Sequence, residues 1–129
     1  APGEVDVAVG DTTGELRKLA QLADVIFVGK SLPPHTEGQT PVEAAALEKP
    51  ILFGPGMSNF RVIAQDLISR GAARVVSDPA ALARTATQLL GAGSERQALA
   101  AGAAQWRRDN GGAVERTLAV IRYELQRLT

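Results

Sequence analysis

The run Gly38-Gln39-Thr40-Pro41-Val42-Glu43 brings together a glycine, an amide, a hydroxyl and a carboxylate at the predicted start of a helix. Glycine lets backbone approach a ligand closely, and the unpaired N–H groups and hydroxyls at a helix start can hold a phosphate. A glutamate one turn into the helix can accept hydrogen bonds from the two hydroxyls of a ribose. Together these residue types point to nucleotide binding. The same spacing, threonine followed three residues later by glutamate, is also a capping box, in which the two side chains satisfy the helix's own N–H groups. Thr12 with Glu15 reads identically, and Ser94 with Gln97 repeats the spacing outside any strand-to-helix loop. The chain therefore uses the device structurally as well, and both readings of Glu15 and Glu43 stay open at this point.

Other reactive side chains are few. His35 is the single histidine and there is no cysteine, which excludes a multi-histidine metal site within one chain, a disulfide framework and a thiol nucleophile. His35 lies in Leu32-Pro33-Pro34-His35-Thr36, and an exposed loop histidine able to titrate near neutral pH is the favoured reading. Lys30 directly follows a predicted strand, where it could pair with a phosphate as readily as stand solvated. Asn59 reads as a helix cap and Trp106 and Tyr123 as packing residues. Arg107, Arg108, Arg116, Arg122 and Arg127 read as a solvated face. Contact of that face with a membrane surface is the less favoured alternative, because Glu115 and Glu124 interrupt its positive charge. No paired carboxylates and no activated nucleophile emerge. The residues predict a ligand-binding half with no catalytic group, metal or cofactor of its own.

The elements that must position these residues follow from periodicity. Short β-branched or apolar runs alternate with longer stretches of helical period, the pattern of a parallel sheet covered by helices. Strands are expected over 5–9, 25–28, 51–53 and 74–76. Val25-Ile26-Phe27-Val28 is apolar throughout, as suits a strand buried on both faces. Helices are expected over 13–23, 41–48, 59–70, 79–91, 94–110 and 113–128. Gly54-Pro55-Gly56 stops the third strand, Ser77-Asp78-Pro79 supplies a cap with proline in the first turn, and Gly111-Gly112 breaks the last two helices. In open parallel sheets, ligands bind beyond the carboxyl ends of the strands. That rule selects residues 10–15, 29–40, 54–59 and 77–79.

Composition sets the outer bounds. The chain has 129 residues, 45% of them hydrophobic, which is one domain over 1–129 with enough apolar side chains for a core. Fourteen basic residues balance fourteen acidic ones, so there is no basic stripe of the kind that binds DNA or RNA through phosphate neutralisation. No apolar run approaches the roughly 20 residues of a spanning helix, and Ala1-Pro2-Gly3-Glu4 lacks the layout of a signal peptide. A cytoplasmic location is the expectation.

Several runs, in order along the chain, resemble one family. Gly10-Asp11-Thr12-Thr13-Gly14-Glu15-Leu16, Ala23-Asp24-Val25-Ile26-Phe27-Val28-Gly29-Lys30-Ser31-Leu32, Glu37-Gly38-Gln39-Thr40-Pro41-Val42-Glu43, Ile51-Leu52-Phe53-Gly54-Pro55-Gly56-Met57-Ser58-Asn59 and Gly111-Gly112-Ala113-Val114-Glu115-Arg116 look like the C-terminal domain of the Kdo transferases. These are bacterial 3-deoxy-D-manno-octulosonic acid transferases of lipopolysaccharide synthesis. The resemblance implies an α/β, Rossmann-like parallel sheet of about four strands with additional C-terminal helices, forming one half of a GT-B fold. It implies an inverting, metal-independent transfer of Kdo from CMP-Kdo to a lipid A precursor, with the donor held by this domain. Gly38, Gln39 and Thr40 would face the donor phosphate and Glu43 the ribose. Thr13, Gly14, Glu15 and Ser31 would line the same cleft, and Gly54 and Pro55 would shape its wall.

The catalytic carboxylate and most of the acceptor site would lie in an N-terminal Rossmann domain absent from this chain, so the isolated domain is predicted to be inactive. The full-length enzyme would act at the cytoplasmic face of the inner membrane, with peripheral membrane contact. An apolar stripe at Val114, Leu118, Ile121 and Leu125, if exposed, would promote a dimer. The sequence departs from the family's pattern at Lys30 and Glu37, where glycine is usual, at Thr40, where asparagine is usual, and at Ala44, where proline is usual. Two alternatives therefore stand beside this reading. One is a GT-B transferase domain using another nucleotide sugar, and the other is a noncatalytic nucleotide- or partner-binding module.

Overall fold

The computed structural model describes residues 21–111, 119 and 123 in full and residues 7–10 as backbone. Four short strands, β1 (Val7–Gly10), β2 (Val25–Val28), β3 (Ile51–Phe53) and β4 (Ala73–Val75), pair side by side in that order. All three pairings are parallel, and the register sets Gly10, Val28, Phe53 and Val75 level with one another. The carboxyl ends of the strands thus share one edge of the sheet, which is where ligands are expected.

Alternation of side chains along the strands divides the core in two. Ile26, Val28, Ile51 and Phe53 point to one face, and Val25, Phe27 and Leu52 to the other. Strands that follow one another in order, joined by right-handed crossovers, carry their connecting helices on a single face. Accordingly α1 (Val42–Ala46) and α2 (Arg61–Ser69) both cover the first face, through Ala44, Ala45, Ala46, Ala64 and Leu67. The second face is covered by α3 (Pro79–Gly91), through Ala86 and Leu89. The long helix α4 (Gly93–Asp109) serves both, with Leu99 in the second cluster and Ala103 and Trp106 in the first.

Several expected boundaries move for local reasons. The first strand is Val7–Gly10 rather than 5–9, and the last is Ala73–Val75 rather than 74–76. Val76 is still buried, and its N–H donates to the Phe53 carbonyl at 2.9 Å. The helix expected over 41–48 is only Val42–Ala46, because Glu48 enters the left-handed region at φ 58. There Glu48 N–H donates to Ala45 O and Lys49 N–H to Ala44 O, which is a Schellman closure. Gly71, at φ 72, closes α2 the same way through Gly71 N–H to Ile68 O and Ala72 N–H to Leu67 O. Residues 58–60 form a 3-10 turn, so α2 starts at Arg61 with Phe60 at its N-cap, and Asn59 is not a cap.

Asp78 caps α3 as expected, its side chain accepting from Ala81 N–H at 2.7 Å with Pro79 in the first turn. Ser94 does not cap α4, because that helix begins one residue earlier, with Ala92 at the N-cap and no side-chain cap bond. Gly111 is already helical, the turn falling on Asn110. Trp106 is buried at 5% exposed, whereas Tyr123 is 61% exposed. Arg108 is exposed, whereas Arg107 is half-buried in an ion pair with Glu48 at 2.7 Å rather than standing on a solvated face. The helices expected over 13–23 and 113–128 lie largely outside the described residues, save that Gln21 and Leu22 form a turn. The apolar stripe from Val114 to Leu125 and the remaining arginines also lie outside them. Among the described residues no helix is long and apolar enough to cross a membrane.

Candidate functional site

The loops leaving β2 and β3 are bonded into one unit at the carboxyl edge of the sheet. Gly56 N–H donates to Ser31 O at 2.8 Å, Ser58 N–H to Thr36 O at 3.0 Å and Asn59 N–H to Glu37 O at 3.1 Å. Approach this close requires glycine. A Cβ on Gly54 would collide with the Ser31 carbonyl, and one on Gly38 would stand 2.6 Å from the Met57 sulfur and 2.8 Å from the Gly56 carbonyl.

Ser31 is the joint between the two loops. It is fully buried, its hydroxyl donating to the Val28 carbonyl at 2.7 Å and accepting from Gly54 N–H at 2.8 Å. Ser31 therefore does not line a cleft. With donor and acceptor both engaged inside the protein, its hydroxyl holds the loops rather than a ligand.

The segment 38–43 also differs from its expected form. Gly38, buried at φ 74, donates its N–H to Lys30 O at 2.9 Å, and Gln39 donates to Gly29 O at 3.0 Å. These two amides close the loop on itself instead of pointing outward, because the chain reverses at two left-handed residues, Lys30 (φ 54) and Gly38. Thr40 is exposed and its hydroxyl accepts from Val42 N–H at 3.2 Å, a local bond at the start of α1. Glu43 is half-buried in the first turn of α1, in the position expected of it.

On the β3 side the same unit opens into a cavity of about 520 Å³, a size that suits a small-molecule ligand. Gly54 and Pro55 line it, together with Pro33, His35, Arg61 and Gln65. Arg61 and Gln65 were not among the residues expected from the sequence. Their signal was their spacing with Ile68 on one face of α2, directly after the Gly54-Pro55-Gly56 turn. Residues 38–43 are not part of this lining, so the expected phosphate segment and the expected wall lie on two sides of one double loop.

The carboxylate at this edge is held by its own loop. The Glu37 carboxylate is held below the usual carboxylate range by hydrogen bonds from its own N–H and that of Thr36, with His35 adding attraction. The Thr36 N–H bond is 3.1 Å, and His35 Nδ1 lies 3.4 Å from Glu37 Oε1. His35 is thus an exposed loop histidine, but a partnered one. Thr13, Gly14 and Glu15 fall outside the described residues. Among the described residues no group of three or more His, Cys, Asp or Glu could hold a metal ion.

No protein-family model matches the sequence. The chain is 39% identical over 121 residues to a 3-deoxy-D-manno-octulosonic acid transferase of Bordetella pertussis, a match covering 93% of this chain and 28% of that protein. A Haemophilus influenzae protein of the same name is 33% identical over 122 residues, covering 94% and 28% respectively. Among solved structures, the chain is similar to the C-terminal CMP-Kdo binding domain of WaaA from Acinetobacter baumannii. That match has a TM-score of 0.68 and 29% identity, and covers 74% of this chain and 50% of the other. The chain therefore spans 28% of the length of the two curated relatives.

Proposed function

The chain is a homologue of the 3-deoxy-D-manno-octulosonic acid transferases along 93% of its own length, and we propose that it is the donor-binding part of such an enzyme, holding CMP-Kdo at the carboxyl edge of its sheet. The observation that carries this reading is the likeness, at a TM-score of 0.68, to a domain described as binding CMP-Kdo. The double loop supports it, since its buried Ser31 and close-packed Gly38 and Gly54 give the edge a rigid, preformed shape.

In this reading Glu43 accepts the ribose hydroxyls, Gly38, Gln39 and Thr40 shape the phosphate side, and Gly54 and Pro55 bound the neighbouring cavity. Thr13, Gly14 and Glu15 would complete the cleft. Transfer breaks the bond between the anomeric carbon of Kdo and its phosphate oxygen. CMP departs as the acceptor hydroxyl attacks from the opposite side and loses its proton to a carboxylate. We place that carboxylate, and the surface that receives a lipid A precursor at the inner membrane, in parts of the enzyme outside this chain. Fixed dipoles and cations at this edge would help to neutralise the departing phosphate.

The test is titration of the isotopically labelled chain with CMP, UMP and UDP, followed by NMR at the amides of residues 31, 38–43 and 54–59. CMP-selective shifts are expected. Glu43→Ala should weaken CMP by about tenfold or more, since a charged hydrogen bond contributes about 1.5–3 kcal/mol. Stronger binding of UMP or UDP would move the donor to another nucleotide sugar. Silence with all three at millimolar concentration would overturn nucleotide binding and leave Glu43 a capping residue.

A further inference from the structure

Lys30 occupies a backbone conformation that disfavours it. Its φ of 54 lies in the left-handed region, which glycine enters freely and a lysine only with strain. The position turns the chain two residues beyond the buried strand β2, and its carbonyl anchors the loop by accepting from Gly38 N–H at 2.9 Å. Neither duty uses the side chain, so a glycine would perform both without strain. Strain retained at a ligand-facing edge is a mark of function.

The neighbouring polar groups show what that function is. The amides of Gly38 and Gln39 are engaged by the carbonyls of Lys30 and Gly29, and the Thr40 hydroxyl by Val42 N–H. The segment that should hold a phosphate has thus turned its first two amide donors inward. Lys30 is exposed on the same turn, and among the described residues its ammonium has no ion-pair partner. Glu37, the nearby carboxylate in sequence, is drawn to His35 and to backbone N–H groups.

Resting on the donor-binding reading, we propose that the Lys30 ammonium is the group that pairs with the nucleotide phosphate, supplying the positive charge that the inward-turned amides of Gly38 and Gln39 do not. An ammonium binds phosphate as a point charge on a flexible stem, so Lys30 discriminates nucleotide from nucleoside rather than one base from another.

The test measures CMP and cytidine binding by calorimetry on the full 129-residue chain and on Lys30→Gly, Lys30→Gln and Lys30→Arg. Lys30→Gly and Lys30→Gln should each weaken CMP by about tenfold, about 1.4 kcal/mol, leave cytidine unchanged and flatten the salt dependence of CMP binding. Lys30→Arg should restore affinity to within about threefold. Lys30→Gly should at the same time unfold at a temperature no lower than the parent, because it relieves the left-handed strain. A more stable Lys30→Gly that binds CMP as tightly as the parent would overturn the role of Lys30 and spare the donor-binding reading. A parent chain that binds neither ligand would overturn the donor-binding reading itself.

Discussion

Ser31 shows how a hydroxyl at a ligand-facing edge can serve the fold. Its bonds to Val28 O and Gly54 N–H are completed inside the protein, and it has no exposed surface. Removing the hydroxyl leaves a buried N–H without a partner, which costs about 1–3 kcal/mol. Ser31→Ala should therefore lower the free energy of unfolding in urea by that amount and broaden the amide signals of residues 54–59. A variant of unchanged stability that only loses nucleotide affinity would return Ser31 to the ligand. Glu37 follows a similar logic. Its carboxylate turns to His35 and to the N–H of Thr36 and so is held by groups of its own loop.

At the scale of elements, the seating of α4 turns on a single glycine. Gly102 on α4 packs against the turn between α2 and β4, where a Cβ would lie 2.6 Å from the Arg70 carbonyl and 2.8 Å from the Ala72 nitrogen. Both are backbone atoms and cannot swing aside. Alanine normally gains about 1 kcal/mol over glycine in a helix, but here overpacking outweighs that gain. Gly102→Ala should be destabilising by about 1–3 kcal/mol in thermal or urea unfolding. Gly91, at the end of α3, has open space on the side a Cβ would occupy, with nothing within 4 Å, and alanine there should be neutral or stabilising. Equal effects at the two positions would show that α4 is not seated through Gly102. Around the same junction, Arg70 pairs with Asp66 and Asp109, and Arg107 with Glu48. These pairs tie α4 to α2 and to the end of α1.

For the whole molecule, the decisive fact is proportion, since the chain spans 28% of the length of the Bordetella pertussis and Haemophilus influenzae relatives. It has a sheet covered on both faces and a carboxyl edge shaped by two bonded loops, and the base that activates an acceptor hydroxyl is proposed to lie outside it. We predict that the purified chain, given CMP-Kdo and a lipid A precursor, releases no CMP above the uncatalysed rate while still binding CMP. Release catalysed by the chain alone would place the catalytic base within these 129 residues and overturn the division of labour proposed above.

The local patterns determined most of the fold. A continuous apolar run placed β2 in the middle of a sheet, alternation divided Ile26 and Val28 from Val25 and Phe27, and Ser77-Asp78-Pro79 started α3 where a cap and a proline require. Such signals are legible because helix and strand periods are properties of neighbouring residues. Gly54, Pro55 and Glu43 were likewise found at the carboxyl edge that the alternation implied. Only the tertiary structure decided which polar groups at that edge are engaged within the protein. Ser31 meets Gly54 across 23 residues, and Arg107 meets Glu48 across 59. Whether the amides of Gly38 and Gln39 turn in or out depends on Lys30 adopting φ 54. Pairings of that kind are set by how closely two loops pack at the end of a sheet, and spacing along the chain carries no record of it.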